Sequence, residues 1–170
     1  DIEPTGNSNV LPPVIEDNRV YILGNRNLHC IDLVTREFIW QKGFPGSGHH
    51  LMLSNLIIDG NRLIVKPDND AIYAFDKYTG DLLWHRFEAG YSPSHMKFYN
   101  GMVYYTAEGD GKLFAVRTSN GQIVWGEDSP HDQTVEYPAA GFEGGVAINE
   151  ELGYIYAHDS HFIMCFKLPE

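Results

Sequence analysis

Three tryptophans at near-constant spacing, a run of short strands before each, and tight turns at fixed offsets predict an all-β fold: a β-propeller of about four blades, the last one incomplete. Trp40, Trp84 and Trp125 lie 44 and 41 residues apart. Four residues before each stands a turn position, filled by Arg36, Gly80 and Gly121. Four short antiparallel strands in about 40 residues make one propeller blade.

The first unit reads strand 12–16, hairpin Asp17-Asn18, strand 19–23, strand 28–32, turn, and an outer strand reaching Trp40. The second reads 54–58, Asp59-Gly60-Asn61, 62–66, 72–76 and the strand to Trp84. The third reads 95–99, Asn100-Gly101, 102–107, 113–117 and the strand to Trp125. A fourth unit offers 146–149, 154–158 and 162–167, with Cys165 where Ala74 and Ala115 sit, and no tryptophan follows. The fourth blade is therefore expected to lack its outer strand. The repeats occupy about 11–41, 51–86, 94–127 and 144–168, and residues 1–10 read as a linker or frayed arm.

A half-buried strand alternates apolar and polar residues. Ile72-Tyr73-Ala74-Phe75 and Leu113-Phe114-Ala115-Val116 do not. They are apolar on both faces, as in a sheet packed between two others. Gly80 and Gly121 supply the positive φ of a tight hairpin. Asp32 and Asp76 are placed to accept hydrogen bonds from the amides of the turn that follows. Each tryptophan is a rigid aromatic suited to wedging against the adjacent blade.

The segments AIYAFDKYTGDLLW (71–84) and KLFAVRTSNGQIVW (112–125) closely resemble the PQQ-like β-propeller repeat: a small-residue strand, Asp, Thr-Gly, then Trp. The first unit departs from it at Arg36, and the third has Arg117 in place of the aspartate. The resemblance implies a fold more than a function. The repeat occurs in quinoprotein dehydrogenases, in the propeller lipoprotein of the outer-membrane β-barrel assembly machinery, and in sensor or scaffold domains. In the dehydrogenases a vicinal disulfide, a stacking tryptophan and a calcium site hold the quinone. This chain has no adjacent cysteines, and its three tryptophans are the repeat tryptophans. No cofactor and no metal is assigned to it.

The chain has 170 residues, 43% of them hydrophobic, enough for one domain with a core. A net charge of −11 argues against nucleic acid and anionic membrane surfaces as partners. No apolar run is long enough to span a bilayer as a helix. Both cysteines, Cys30 and Cys165, occupy the small-residue position of a third strand and are expected to be buried thiols standing in for alanine.

In propellers the loops between blades share a face with the loops joining second and third strands. That places His49, His50, Tyr91, His95, His131 and Tyr137 on one rim, the candidate binding surface, with the acidic pieces 67–70 and 108–111 on the same face. Those pieces lack the ligand series of a calcium loop. The eight histidines lack the fixed spacing of a zinc site. Neither a nucleophile elbow nor a phosphate loop is present.

The expected function is a non-enzymatic binding or scaffold module that presents loops to a protein or peptide. The alternative is a fragment of a quinoprotein-like dehydrogenase whose cofactor site lies outside this chain. The family resemblance implies a periplasmic or outer-membrane location in bacteria. An incomplete last blade is met by a longer parent propeller, by pairing of two copies, or by a small ring closed with residues 1–10, in that order of preference.

Overall fold

The computed structural model describes residues 11–24, 27–45, 54–130, 141–159 and 161–169. It forms four antiparallel sheets strung in sequence order, a partial β-propeller. The first sheet holds β1 (Val14–Glu16), β2 (Arg19–Leu23), β3 (Asn27–Asp32) and β4 (Phe38–Gly43). The second holds β5 (Ile57–Asp59), β6 (Arg62–Val65), β7 (Ala71–Asp76) and β8 (Leu82–Phe87). The third holds β9 (Lys97–Tyr99), β10 (Met102–Ala107), β11 (Lys112–Arg117) and β12 (Ile123–Asp128). The fourth has three described strands, β13 (Phe142–Asn149), β14 (Tyr154–Asp159) and β15 (Ile163–Lys167).

Local chemistry sets the turns. Asp17 and Asn18, then Asn100 and Gly101, all take positive φ, so each pair closes a two-residue hairpin of the hand that matches strand twist. Asp32 Oδ1 accepts the amides of Val34 and Thr35, and Asp76 Oδ1 those of Tyr78 and Thr79, as the sequence implied. The amides of Thr35 and Val34 hold the Asp32 carboxyl below the usual carboxylate range. Each complete blade slips register at one point, between Cys30 and Ile31, Ala74 and Phe75, or Ala115 and Val116. The bulge sits beside the tryptophan in all three, because Cys30, Ala74 and Ala115 pair with Trp40, Trp84 and Trp125.

The core lies between the sheets, in three clusters. Tyr21, Leu28 and Cys30 of the first sheet meet Leu63, Tyr73 and Phe75 of the second. Ile64, Ile72 and Ala74 meet Val103, Tyr105 and Val116 of the third. Tyr104, Leu113 and Ala115 meet Ile155, Ala157 and Phe142 of the fourth. Both faces of an internal sheet are buried, which is why its third strand does not alternate.

Tryptophan and glycine make the joint between blades. The Trp40 indole N–H donates to Lys77 O at 3.2 Å, and Trp84 donates to Thr118 O at 2.9 Å. Both rings lie over the glycine of the next turn. A Cβ on Gly80 would fall 2.7 Å from Trp40 Cδ2, and one on Gly121 2.6 Å from Trp84 Cε3. Trp125 departs from the pattern. Its N–H donates to Glu127 Oε1 of its own strand, and its ring meets Phe166 edge-on at 5.7 Å. Trp84→Phe therefore removes a bond across the joint and is expected to cost about 2 kcal/mol, and Trp125→Phe roughly half of that. Urea unfolding of the two variants measures the difference.

Three expectations need correction in detail. Cys30 is buried, but Cys165 is exposed, because no described residue covers its side of the fourth sheet. The outer strands do not end at tryptophan; β4, β8 and β12 continue three residues beyond it. Finally, β13 starts at Phe142, earlier than the strand 146–149 that the repeat suggested, with an irregularity between Glu143 and Ala147. Gly144 (φ 64) lies within it, and a glycine supplies that conformation without strain.

Candidate loop-face binding site

The segment from β8 to β9 crosses the loop face between the second and third blades. It reverses sharply, with positive φ at Glu88 (61), Gly90 (78) and Ser92 (50). Gly90 is obligatory there, since a Cβ would fall 2.5 Å from Ala107 Cβ and 2.8 Å from Phe114 Cε2.

Three consecutive amides of this segment each meet a carboxylate. Gly90 N–H donates to Asp70 Oδ1 at 3.1 Å, Tyr91 N–H to the Asp110 carboxylate, and Ser92 N–H to Asp68 Oδ1 at 2.8 Å. Asp68 and Asp70 come from the second blade and Asp110 from the third. The segment is thus tied to two blades at once. Beneath it lies the fully buried side chain of Lys66. Its ammonium donates to Pro67 O at 2.9 Å, Asn69 O at 2.5 Å and Gly90 O at 2.6 Å. Burial pushes its pKa down to about 7, while Asp68, Asp70 and Asp110 pull the other way. Three carbonyl acceptors match the three N–H bonds of an ammonium.

Further bonds fix the base of the segment. The buried Tyr105 hydroxyl donates to Ala89 O at 2.9 Å, and burial holds that phenol well above its ordinary pKa. Ser94 N–H donates to Thr106 O and Glu108 N–H to Ser92 O. At the next joint Ser129 Oγ donates to Asp159 Oδ2 at 3.3 Å, and Thr106 Oγ1 donates to Gly144 O. Asp159 also accepts the amides of His161 and Phe162, as Asp32 and Asp76 do on the opposite side.

Tyr91 stands on this frame 50% exposed, over Gly109, and Phe87 at the end of β8 is 60% exposed. Of the expected rim residues, Tyr91 and His95 lie on the same segment, and His95 is exposed. His49, His50, His131 and Tyr137 lie outside the described residues. Sequence reasoning missed Lys66, and it read Asp68, Asp70 and Asp110 as turn formers only. The available signal was a lysine directly after the apolar run Leu63-Ile64-Val65, at the position of Leu23 and Thr106. Chemically the arrangement offers exposed aromatic area, acidic side chains and a rigid backbone, which suits binding. Among the described residues no group of three or more His, Cys, Asp or Glu side chains is arranged to hold a metal ion.

A family model described as outer membrane protein assembly factor BamB matches residues 1–167. The chain belongs to the BamB family. A BamB from Yersinia pestis is 28% identical over 116 residues, which is 67% of this chain and 28% of the relative. The crystal structure of BamB from Moraxella catarrhalis superposes with a TM-score of 0.69 at 19% identity, over 93% of this chain and 49% of that one. Quinohemoprotein alcohol dehydrogenase from Comamonas testosteroni superposes at 0.66 and 17% identity, over 88% of this chain and 28% of that one. At such identities the two structures share the fold alone. The chain spans about half the length of the BamB structure, and the alignment spans 28% of the curated BamB relative. Among the described residues no helix is long and apolar enough to cross a membrane.

Proposed function

We propose that this chain is a non-enzymatic binding module that presents its loop face to a polypeptide partner during outer membrane protein assembly, at the periplasmic side of the outer membrane. The observation that carries the reading is the segment 88–96. It holds Tyr91 half exposed while its backbone is fixed by carboxylates from two blades. A rigid aromatic anchor binds at low entropic cost. Acidic residues around it favour a partner segment that carries basic or hydrogen-bond-donating groups. The family assignment supports the choice of process, and the fixed backbone beneath Tyr91 supports the choice of surface.

A photo-crosslinking amino acid at position 91, in the chain produced in a bacterial periplasm, tests this. Adducts with a component of the outer membrane protein assembly apparatus are expected. The control is the same substitution at Val34, which is 76% exposed on the opposite, turn-bearing side. Equal yields at both positions, or none at position 91, would overturn the reading.

A further inference from the structure

The sequence holds two Asn-Gly steps, Asn100-Gly101 and Asn120-Gly121, and the fold treats them differently. Asparagine before glycine can close into a ring. The glycine amide nitrogen attacks the asparagine Cγ, the side-chain nitrogen leaves as ammonia, and a succinimide results. Water then opens the ring at either carbonyl. One opening gives aspartate. The other gives isoaspartate, in which the backbone runs through Cβ. Glycine has no Cβ to obstruct the attack. The reaction then turns on whether the amide nitrogen and the asparagine side chain are free.

At position 120 neither is free. Gly121 N–H donates to Arg117 O at 2.9 Å, and Asn120 Oδ1 accepts the Gln122 amide at 3.0 Å. Gly121 is also buried beneath the Trp84 ring. At position 100 both are free. Asn100 is exposed at the tip of the β9–β10 hairpin, and its side chain has no hydrogen-bond partner among the described residues. Gly101 N–H meets no acceptor among them either, and no atom lies within 4 Å of its Cβ position.

This turn supports the joint between the second and third blades. Gly101 O accepts the Thr118 amide at 3.0 Å and lies 2.9 Å from Thr118 Oγ1. Thr118 is buried, and its carbonyl accepts the Trp84 indole N–H at 2.9 Å. Its hydroxyl donates to Asp59 Oδ2 of the second blade at 2.6 Å. The turn itself is set by two residues of positive φ, 49 at Asn100 and 70 at Gly101. Isoaspartate adds a backbone methylene between them and displaces Gly101 O from Thr118.

We propose that Asn100 is a site of spontaneous deamidation through the succinimide, that Asn120 is protected from it, and that the isoaspartate product loosens the joint between the second and third blades. Water is the co-reactant and ammonia the leaving group. The proposal does not depend on the function proposed above.

The test is to hold the folded chain at mildly alkaline pH and map its peptides over time, with an L-isoaspartyl O-methyltransferase as the probe for isoaspartate. Isoaspartate is expected at position 100, and faster as pH rises, because the attacking amide must lose its proton. Conversion at position 120 should be slower by about tenfold or more, since two hydrogen bonds must break first. Asn100→Gly keeps a residue that accepts positive φ and should abolish the methyl-accepting signal of this turn. The deamidated chain carries one more negative charge, so ion exchange isolates it. In its isoaspartate form, amide exchange at Thr118 should accelerate while Val34, in the Asp32 turn, keeps its protection. Absence of isoaspartate at position 100, or equal conversion at 100 and 120 in the folded chain, would overturn the site. Unchanged protection of Thr118 in the isoaspartate form would overturn the effect on the joint.

Discussion

Gly80→Ala is expected to lower the unfolding free energy by about 3 kcal/mol, a large effect for one methyl group. Two costs add. The residue sits at φ 75, where a Cβ is strained. The new Cβ would also fall 2.7 Å from Trp40 Cδ2 and 2.8 Å from Cε3, inside van der Waals contact with a ring that cannot swing away. Trp40 is held by its bond to Lys77 O and its packing against Tyr21. The comparison is Gly60→Ala. That glycine also has positive φ (61), but nothing lies within 4 Å of its Cβ position. It should cost only the backbone term, about 1 kcal/mol. Urea unfolding of both variants separates strain from collision. Equal losses would show that the tryptophan seat is unimportant.

Lys66→Met should cost a similar amount, about 3 kcal/mol, for a different reason. Methionine fills the volume but leaves Pro67 O, Asn69 O and Gly90 O without their donor, and removes the buried positive charge that interacts with Asp68, Asp70 and Asp110. The damage should centre on the loop face. Amide exchange at Gly90, Tyr91 and Ser92 should accelerate, while the turns held by Asp32 and Asp76 keep their protection. Lys112→Met is the control, because its contact to Asp128 is exposed at 3.4 Å and contributes little. A Lys66→Met protein as stable as wild type would remove the buried lysine from the account of this face.

What the sequence disclosed depended on how far apart the interacting groups lie. The Asp32 and Asp76 turns were legible because carboxylate and amides are two or three residues apart. Periodicity disclosed the tryptophan joints, since Trp40 and Gly80 occupy fixed places in successive units. The carboxylate ties to Tyr91 and Ser92 were not legible. They span 19 and 24 residues and join two blades, and an aspartate in a turn looks alike whether it faces solvent or an amide. Cys165 was misplaced because the repeat assigns a position in the blade and not the residues that pack against it.

Lys66 has a consequence for the ionic conditions under which the face keeps its shape. Carboxylates gathered around a bent backbone are commonly steadied by a divalent ion, and such loops loosen when the ion is chelated or diluted. Here the positive charge is covalently part of the chain and seated on three carbonyl oxygens. An internal counter-ion cannot be exchanged or titrated away by a chelator. The surface around Tyr91 is therefore expected to keep its geometry when calcium and magnesium are removed, and to respond instead to pH, because burial brings the pKa of the ammonium to about 7.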